Sequence, residues 1–312
     1  MRIDVAPSAA APSAALSPAA YLAVRRRRRH PLSPGAARLI AVAVIWSVPL
    51  AVMALFAWIV TDIVAHGASH LSWDFLTTAP RRSGRAGGIA PILVSTALIT
   101  LVCMSVAVPI GLGSALLLAE YVPPQSRAGR WIRGSLNVLA GLPSIVFGLF
   151  GNAFFCVTLG FGFSILAGGL TLACMVLPIF IRASEECLRG VPDTYRRAAA
   201  ALGVGKARAV ASVVIPIALP GLIAAFLLGL GRATAETAAL VFTSGYVDRM
   251  PSSLLDSGRA LSVHIFDLSM NISGGDASAY ASALVLIGFL LTITSALTVL
   301  GWWSSLRRGI GR

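Results

Sequence analysis

Long apolar stretches alternate with short polar segments along most of the chain. The apolar stretches cover residues 39–60, 89–119, 136–157, 163–181, 217–241 and 280–303. A helix needs roughly 20 residues to cross the ~30 Å of bilayer hydrocarbon, so the pattern predicts six membrane-crossing helices and an all-α, polytopic architecture. The second stretch exceeds an upright span and contains Pro91, Pro109, Gly111 and Gly113, so it is expected to tilt or bend. The third carries Pro143, Gly148 and Gly151, and the fourth Gly168, Gly169 and Pro178. Such breaks are tolerated in membrane helices where neighbours or water satisfy the freed backbone groups. No stretch remains for a soluble domain.

Composition strengthens this reading. Hydrophobic residues make up 57% of the 312 residues and charged ones only 12%, about half the ~25% of a soluble domain. Mean hydropathy is +0.84. These values exclude a soluble enzyme, a disordered protein and a disulfide scaffold. The cysteines at 103, 156, 174 and 187 form no CxxC motif. Residues 1–24, rich in Ala, Pro and Ser, read as a disordered tail, here extended to residue 37. The arginine run Arg25–Arg29 follows this weakly apolar stretch, which is the reverse of a signal peptide.

The net charge of +13 comes from 25 basic residues. They cluster beside apolar stretches, as membrane flanks do, which argues against nucleic-acid binding. With the N-terminus inside, nineteen fall on the cytoplasmic side: Arg2, Arg25–Arg29 and Arg38; Arg127, Arg130 and Arg133; Arg182, Arg189, Arg196, Arg197, Lys206 and Arg208; Arg307, Arg308 and Arg312. Five fall outside: Arg81, Arg82, Arg85, Arg249 and Arg259. The bias predicts both termini in the cytoplasm of a multi-pass inner-membrane protein, with Trp302 and Trp303 as an interfacial anchor. The outer loops are expected at 61–88 and 242–279. In the second, Leu254, Leu255, Leu261, Ile265 and Leu268 suggest a short interfacial or docking helix.

No catalytic signature is present: there is no phosphate-binding loop, no HExxH and no ligand-spaced Cys/His cluster. His66 and His70, four apart, permit a metal pair on a helix, but without further ligands they read as plain loop residues. The informative charges are Arg232 and Glu236, inside the fifth stretch. Counted from its end, they lie roughly 13 Å and 7 Å deep. The i, i+4 spacing puts them on one helix face, where they can pair. A charge at such depth costs at least about 2.5 kcal/mol, so it faces a bundle interior or an aqueous path. Either the pair locks helix packing, or Arg232 is a cation on the route of an anionic substrate, oriented by Glu236.

Between the fourth and fifth stretches, Pro192-Asp193-Thr194-Tyr195 starts a helix and Gly203 ends it. A second short helix is expected from Lys206 to Ile215, closed by Pro216. On periodicity alone this is either a docking element for a cytoplasmic partner or an ordinary connecting loop.

Ala198-Ala199, then Gly203, then Val213-Val214-Ile215-Pro216 resembles the EAA loop of type I ABC-importer permeases. Four further segments resemble the permeases of the phosphate (Pst) importers: Gly87-Gly88-Ile89 with Ser95-Thr96; Leu118-Ala119-Glu120-Tyr121; Gly141-Leu142-Pro143-Ser144-Ile145-Val146-Phe147-Gly148; and Gly231-Arg232 through Glu236-Thr237-Ala238. The stretches 237–243 and 261–266 are closer to the PstA-type than to the PstC-type subunit. The likeness covers roughly residues 70–303. It implies the type I importer fold with a transmembrane core at 89–303, and a coupling loop (192–216) seated on an ATPase through Arg197, Ala198, Ala199, Gly203 and Pro216. It also implies a substrate path through Arg232, Glu236, Thr237 and Ser144. The implied partners are a PstC-type permease, two PstB-type ATPase subunits that hold ATP and Mg, and a PstS-type phosphate-binding protein; the chain itself would carry no cofactor or metal and hydrolyse no ATP. Where the loop motif has its glutamate this chain has Arg197, reversing the charge of that contact. Two alternatives remain at this level: the same architecture importing another oxyanion (phosphonate, phosphite, sulfate or molybdate), and a membrane scaffold or sensor that transports nothing.

Overall fold

A computed structural model describes residues 34–123 and 125–307. The tails proposed at 1–37 and 304–312, and the Trp302–Trp303 anchor, therefore lie largely or wholly outside what is described. Among the described residues, those up to Val60 form one compact unit and those from Thr61 another. The first unit is built on α1 (Pro34–Gly67), a helix apolar on every side, as suits a lipid-facing span.

The second unit is helical apart from a two-residue hairpin, β1 (Pro80–Arg81) against β2 (Ala86–Gly87). After the last turns of α1 it continues with α2 (Trp73–Thr77), whose N-terminus is capped by the Ser72 hydroxyl accepting from Phe75 N. Next come α3 (Ala90–Leu116), α4 (Arg127–Ala140), α5 (Ser144–Gly151) and α6 (Ile165–Arg189). Two short helices, α7 (Asp193–Ala201) and α8 (Lys206–Ala209), lead into α9 (Ile215–Thr234) and α10 (Ala238–Val241). The chain ends with α11 (Leu261–Met270) and α12 (Asp276–Arg307). Among the described residues, five helices are long and apolar enough to cross a membrane, or six if α4 and the α5 segment count as one bent span.

α6 is the centre of the core. Leu172, Met175, Val176 and Phe180 meet Ile99, Cys103 and Ala107 of α3 and Leu230 and Ala233 of α9. α3 approaches α6 closely because glycine leaves the space: a Cβ at Gly169 would stand 2.5 Å from Val102 Cγ1, and one at Gly111 would run into Phe180. Lipid gives no hydrophobic drive between helices, so close packing of this kind is what holds the pair.

Four expectations about elements are corrected. The third stretch is not one helix: the chain turns by 95° between α4 and the α5 segment, at Gly141-Leu142-Pro143, where proline cannot continue the α4 hydrogen-bond ladder. The second short helix is not closed by Pro216. A π turn at Val210–Val214 joins α8 to α9, and Pro216 sits in the first turn of α9, where a missing N–H does least harm. In the 242–279 loop, Leu254 and Leu255 lie outside any helix. α11 buries Leu261, Val263, His264 and Leu268 and packs inward against α12, so it is part of the core rather than an interfacial helix. His66 likewise is no loop residue: it ends α1, with Nδ1 3.2 Å from Asp62 Oδ1 and its ring 5.0 Å from that of Tyr280.

Candidate functional site

Arg232 and Glu236 do not pair. α9 ends at Thr234, so the helical spacing that would align them is lost at residues 235–237. Glu236 is 8% exposed, and its Oε1 accepts from Ala239 N at 3.3 Å, capping the first turn of α10. Its own carbonyl accepts from Ser262 Oγ at 2.6 Å. Thr237 takes the N-cap position of α10. Arg232, by contrast, is exposed, and its one side-chain hydrogen bond among the described residues is Nη2 to Met175 Sδ at 3.9 Å. It is a guanidinium in the last turn of an apolar helix with no carboxylate within ion-pair distance among the described residues. The reading of the two as a packing ion pair is thereby overturned, and so is the orientation of Arg232 by Glu236.

Ser144 opens α5 and is half-buried. α5 rests on α10 through Gly148, where a Cβ would stand 2.9 Å from Ala239 Cα. Thus Ser144, Glu236, Thr237 and Arg232 stand on two helix ends and the break between α9 and α10. Only Glu236 and Thr237 share one local structure.

The loop residues lie apart from these. α7 starts after Pro192 and ends before Gly203, which has φ +70°, the left-handed conformation that glycine adopts freely. On α7, Ala199 is buried, whereas Arg197 and Ala198 are exposed together with Leu202 and Gly203. Pro216 is half-buried and on a different helix. Arg197 makes no ion pair among the described residues.

The buried acids beside and under this loop are ones that spacing did not single out. Glu185 on α6, 1% exposed, accepts from Arg133 Nε at 2.7 Å and from Arg189 Nε at 2.8 Å, and Arg182 approaches its other oxygen at 3.5 Å. Glu120, with a side chain 4% exposed, receives Arg196 Nη2 at 2.7 Å and Nε at 3.1 and 3.3 Å from its two oxygens. Arg196 also donates to Leu188 O at 2.8 Å and Val191 O at 2.5 Å, and the Glu120 carboxylate raises its pKa above the ordinary arginine value. One signal was available: this arginine-rich chain has only four glutamates, at 120, 185, 186 and 236, and an acid kept in an apolar chain must have a partner or a task. No cluster that would hold a metal ion occurs among the described residues.

A chain with this core and these apolar helices is of the polytopic helical class. Residues 107–302 match the family described as the binding-protein-dependent transport system inner membrane component, and the chain belongs to that family. It is 32% identical over 256 residues to the probable ABC transporter permease protein YqgI of Bacillus subtilis, covering 77% of this chain and 87% of that protein. It is 36% identical over 225 residues to the phosphate transport system permease protein PstA 1 of Mycobacterium tuberculosis, covering 72% and 73%. The fold is also that of a chain in the inward-facing MetNI methionine ABC transporter, with a TM-score of 0.54 at 20% identity over 72% of this chain and 96% of that one.

Proposed function

We propose that this chain is the PstA-type permease subunit of an ATP-driven importer of inorganic phosphate, set in the cytoplasmic membrane with both termini inside. The observation that carries the reading is Arg232, an exposed guanidinium with no carboxylate partner among the described residues, at the end of a membrane helix in a chain whose relatives bear the phosphate permease name. A planar guanidinium meets two oxygens of a tetrahedral oxyanion at once, and in a low-dielectric path such a contact is strong. The chain supplies half of the path. A PstC-type permease supplies the other half, a PstS-type binding protein delivers phosphate, and two PstB-type ATPase subunits bind ATP and Mg and act on the loop at 192–216. Nineteen basic flanking residues on one side against five on the other support the orientation.

Uptake of radiolabelled phosphate by cells with this permease as their only route tests the reading. Competition by unlabelled phosphate but not by phosphonate, phosphite, sulfate or molybdate is expected, and preferential competition by one of the others would replace phosphate as the substrate. Orientation is tested by impermeant thiol labelling in a cysteine-free background. Ser69→Cys should react in intact cells and Thr194→Cys only after lysis; the reverse pattern would invert the topology.

A further inference from the structure

α3 does not stop at Leu116: residues Leu117–Tyr121 continue it as a π turn, a rare geometry that occurs mostly at functional positions. Its last carbonyls lack intrahelical donors and carry the negative end of the helix dipole. Cations from four other elements fill this end. Arg133 of α4 and Arg189 of α6 both donate to Leu118 O, at 3.2 and 2.8 Å. Arg196 of α7 grips the Glu120 carboxylate. Lys206 of α8 donates to Glu120 O and stands 4.6 Å from the centre of the Tyr121 ring. Both short helices of the loop are therefore fastened to the end of α3, a helix 76 residues or more away in the chain.

Apolar packing joins the two ends of the loop to α3, where Val191 and Val214 share one buried cluster with Ala115 and Leu118, but little of it reaches α7. α7 buries only Ala199, and a cavity of about 570 Å³, lined by Glu120, Arg189, Arg196, Lys206 and Val214 among others, lies between the loop and the end of α3. Asp193, the other acid on Arg196, is 79% exposed and on the same helix, so it ties α7 to nothing else. For α7 itself the link to α3 is thus the polar clasp. Because Arg196 engages both oxygens of Glu120, it resists rotation as well as separation.

We propose that Glu120 is the positioning residue that carries displacement of the loop into α3, so that α3 moves with α7 and α8 as one body. The inference rests on the reading of this chain as an ABC-importer permease, in which a partner ATPase displaces the loop. Covalent connection alone would pass that displacement to α6 and α9; the clasp adds α3, and with it the helix packed most closely on α6.

The test uses the complete importer in lipid, with two readouts. In the first, Glu120→Gln should leave the ATPase bound and hydrolysing while phosphate moved per ATP falls about tenfold, and the charge exchange Glu120→Arg with Arg196→Glu should restore it. Unchanged transport per ATP, or a proportional loss of transport, hydrolysis and bound ATPase, would overturn the proposal. The second readout needs no substrate. Spin labels at Leu202 and Ile110, both exposed, should keep one distance with and without ATP when Glu120 is present, and change distance with ATP after Glu120→Gln. A distance that responds to ATP equally in both overturns the clasp. If the unsubstituted importer hydrolyses ATP yet moves no phosphate, the substrate reading fails while the label distances still decide the role of Glu120. Should Glu120→Gln not reach the membrane, Arg196→Lys keeps the charge but cannot engage both oxygens, and the same outcomes apply to it.

Discussion

At the end of α3 each buried carboxylate has a guanidinium on it, Glu185 two at hydrogen-bond length and Glu120 one across both oxygens. At the end of α9 a nearly buried carboxylate and an exposed guanidinium stand four residues apart and do not meet. The same residue types thus serve opposite ends. Closed pairs in an apolar surrounding fix one arrangement of the elements that bear them, since separating them leaves a desolvated charge. An open cation in such a surrounding fixes nothing inside the chain and is available to an anion from outside. Which of the two a charged residue becomes is decided by backbone geometry: the break at residues 235–237 removes Glu236 from the face of Arg232, and the π turn at Leu117–Tyr121 presents Glu120 to Arg196.

The largest expected effect tests the closed side. Glu185→Ala leaves Arg133 and Arg189 facing each other without an acid, so the purified chain should lose about 3–5 kcal/mol of stability, read as lower expression and an earlier thermal unfolding in detergent. A variant as stable as the parent would show that these arginines need no buried partner. The open side predicts the converse. Arg232→Ala should unfold at the parent temperature, because it breaks no contact but the one to Met175, while uptake falls on the order of a hundredfold, the equivalent of losing about 3 kcal/mol of charged hydrogen bonding. Arg232→Lys should recover only part of it, having no planar fork. Full uptake by Arg232→Ala would remove the contrast between the two regions altogether.

The spans and the start and end of α7 were legible because each is written locally, in runs of apolar residues, in Pro192-Asp193 and in Gly203. The break after Thr234 was not. Nothing between Arg232 and Thr237 disfavours helix strongly, and the break is stabilised by Ser262 bonding Glu236 O, a contact that sequence order does not announce. Glu120 was visible only inside a family-like segment, since its partner lies 76 residues on. Proline was misread at 216 for a related reason: it ends an isolated helix, but here the π turn before it lets the chain continue into a span.

Gly203 sharpens the comparison from the local side. Its φ is +70° and a Cβ there would meet nothing within 4 Å, so Gly203→Val costs only backbone conformation, about 1–2 kcal/mol. Because that cost is relieved by letting α7 and α8 shift relative to each other, the expected result is weaker recovery of the ATPase with the permease and reduced uptake at normal membrane insertion. Unaltered ATPase recovery and uptake would mean that the relative placement of the two helices does not matter.

The smallest effect within the chain belongs to Arg197, which separates the loop's outer face from its inner clasp. Arg197 is exposed and, unlike Arg196 beside it, makes no ion pair among the described residues. Arg197→Glu should therefore change the stability of the chain by no more than about 0.5 kcal/mol, the usual range for an open surface position. Any larger consequence must arise where the loop meets another protein. Uptake is accordingly expected to fall about fivefold when its charge is reversed, with unfolding temperature unchanged. If uptake holds or rises instead, Arg197 is merely tolerated where related loops carry an acid, and the ATPase grips this loop through the apolar residues and the fixed angle between α7 and α8 alone.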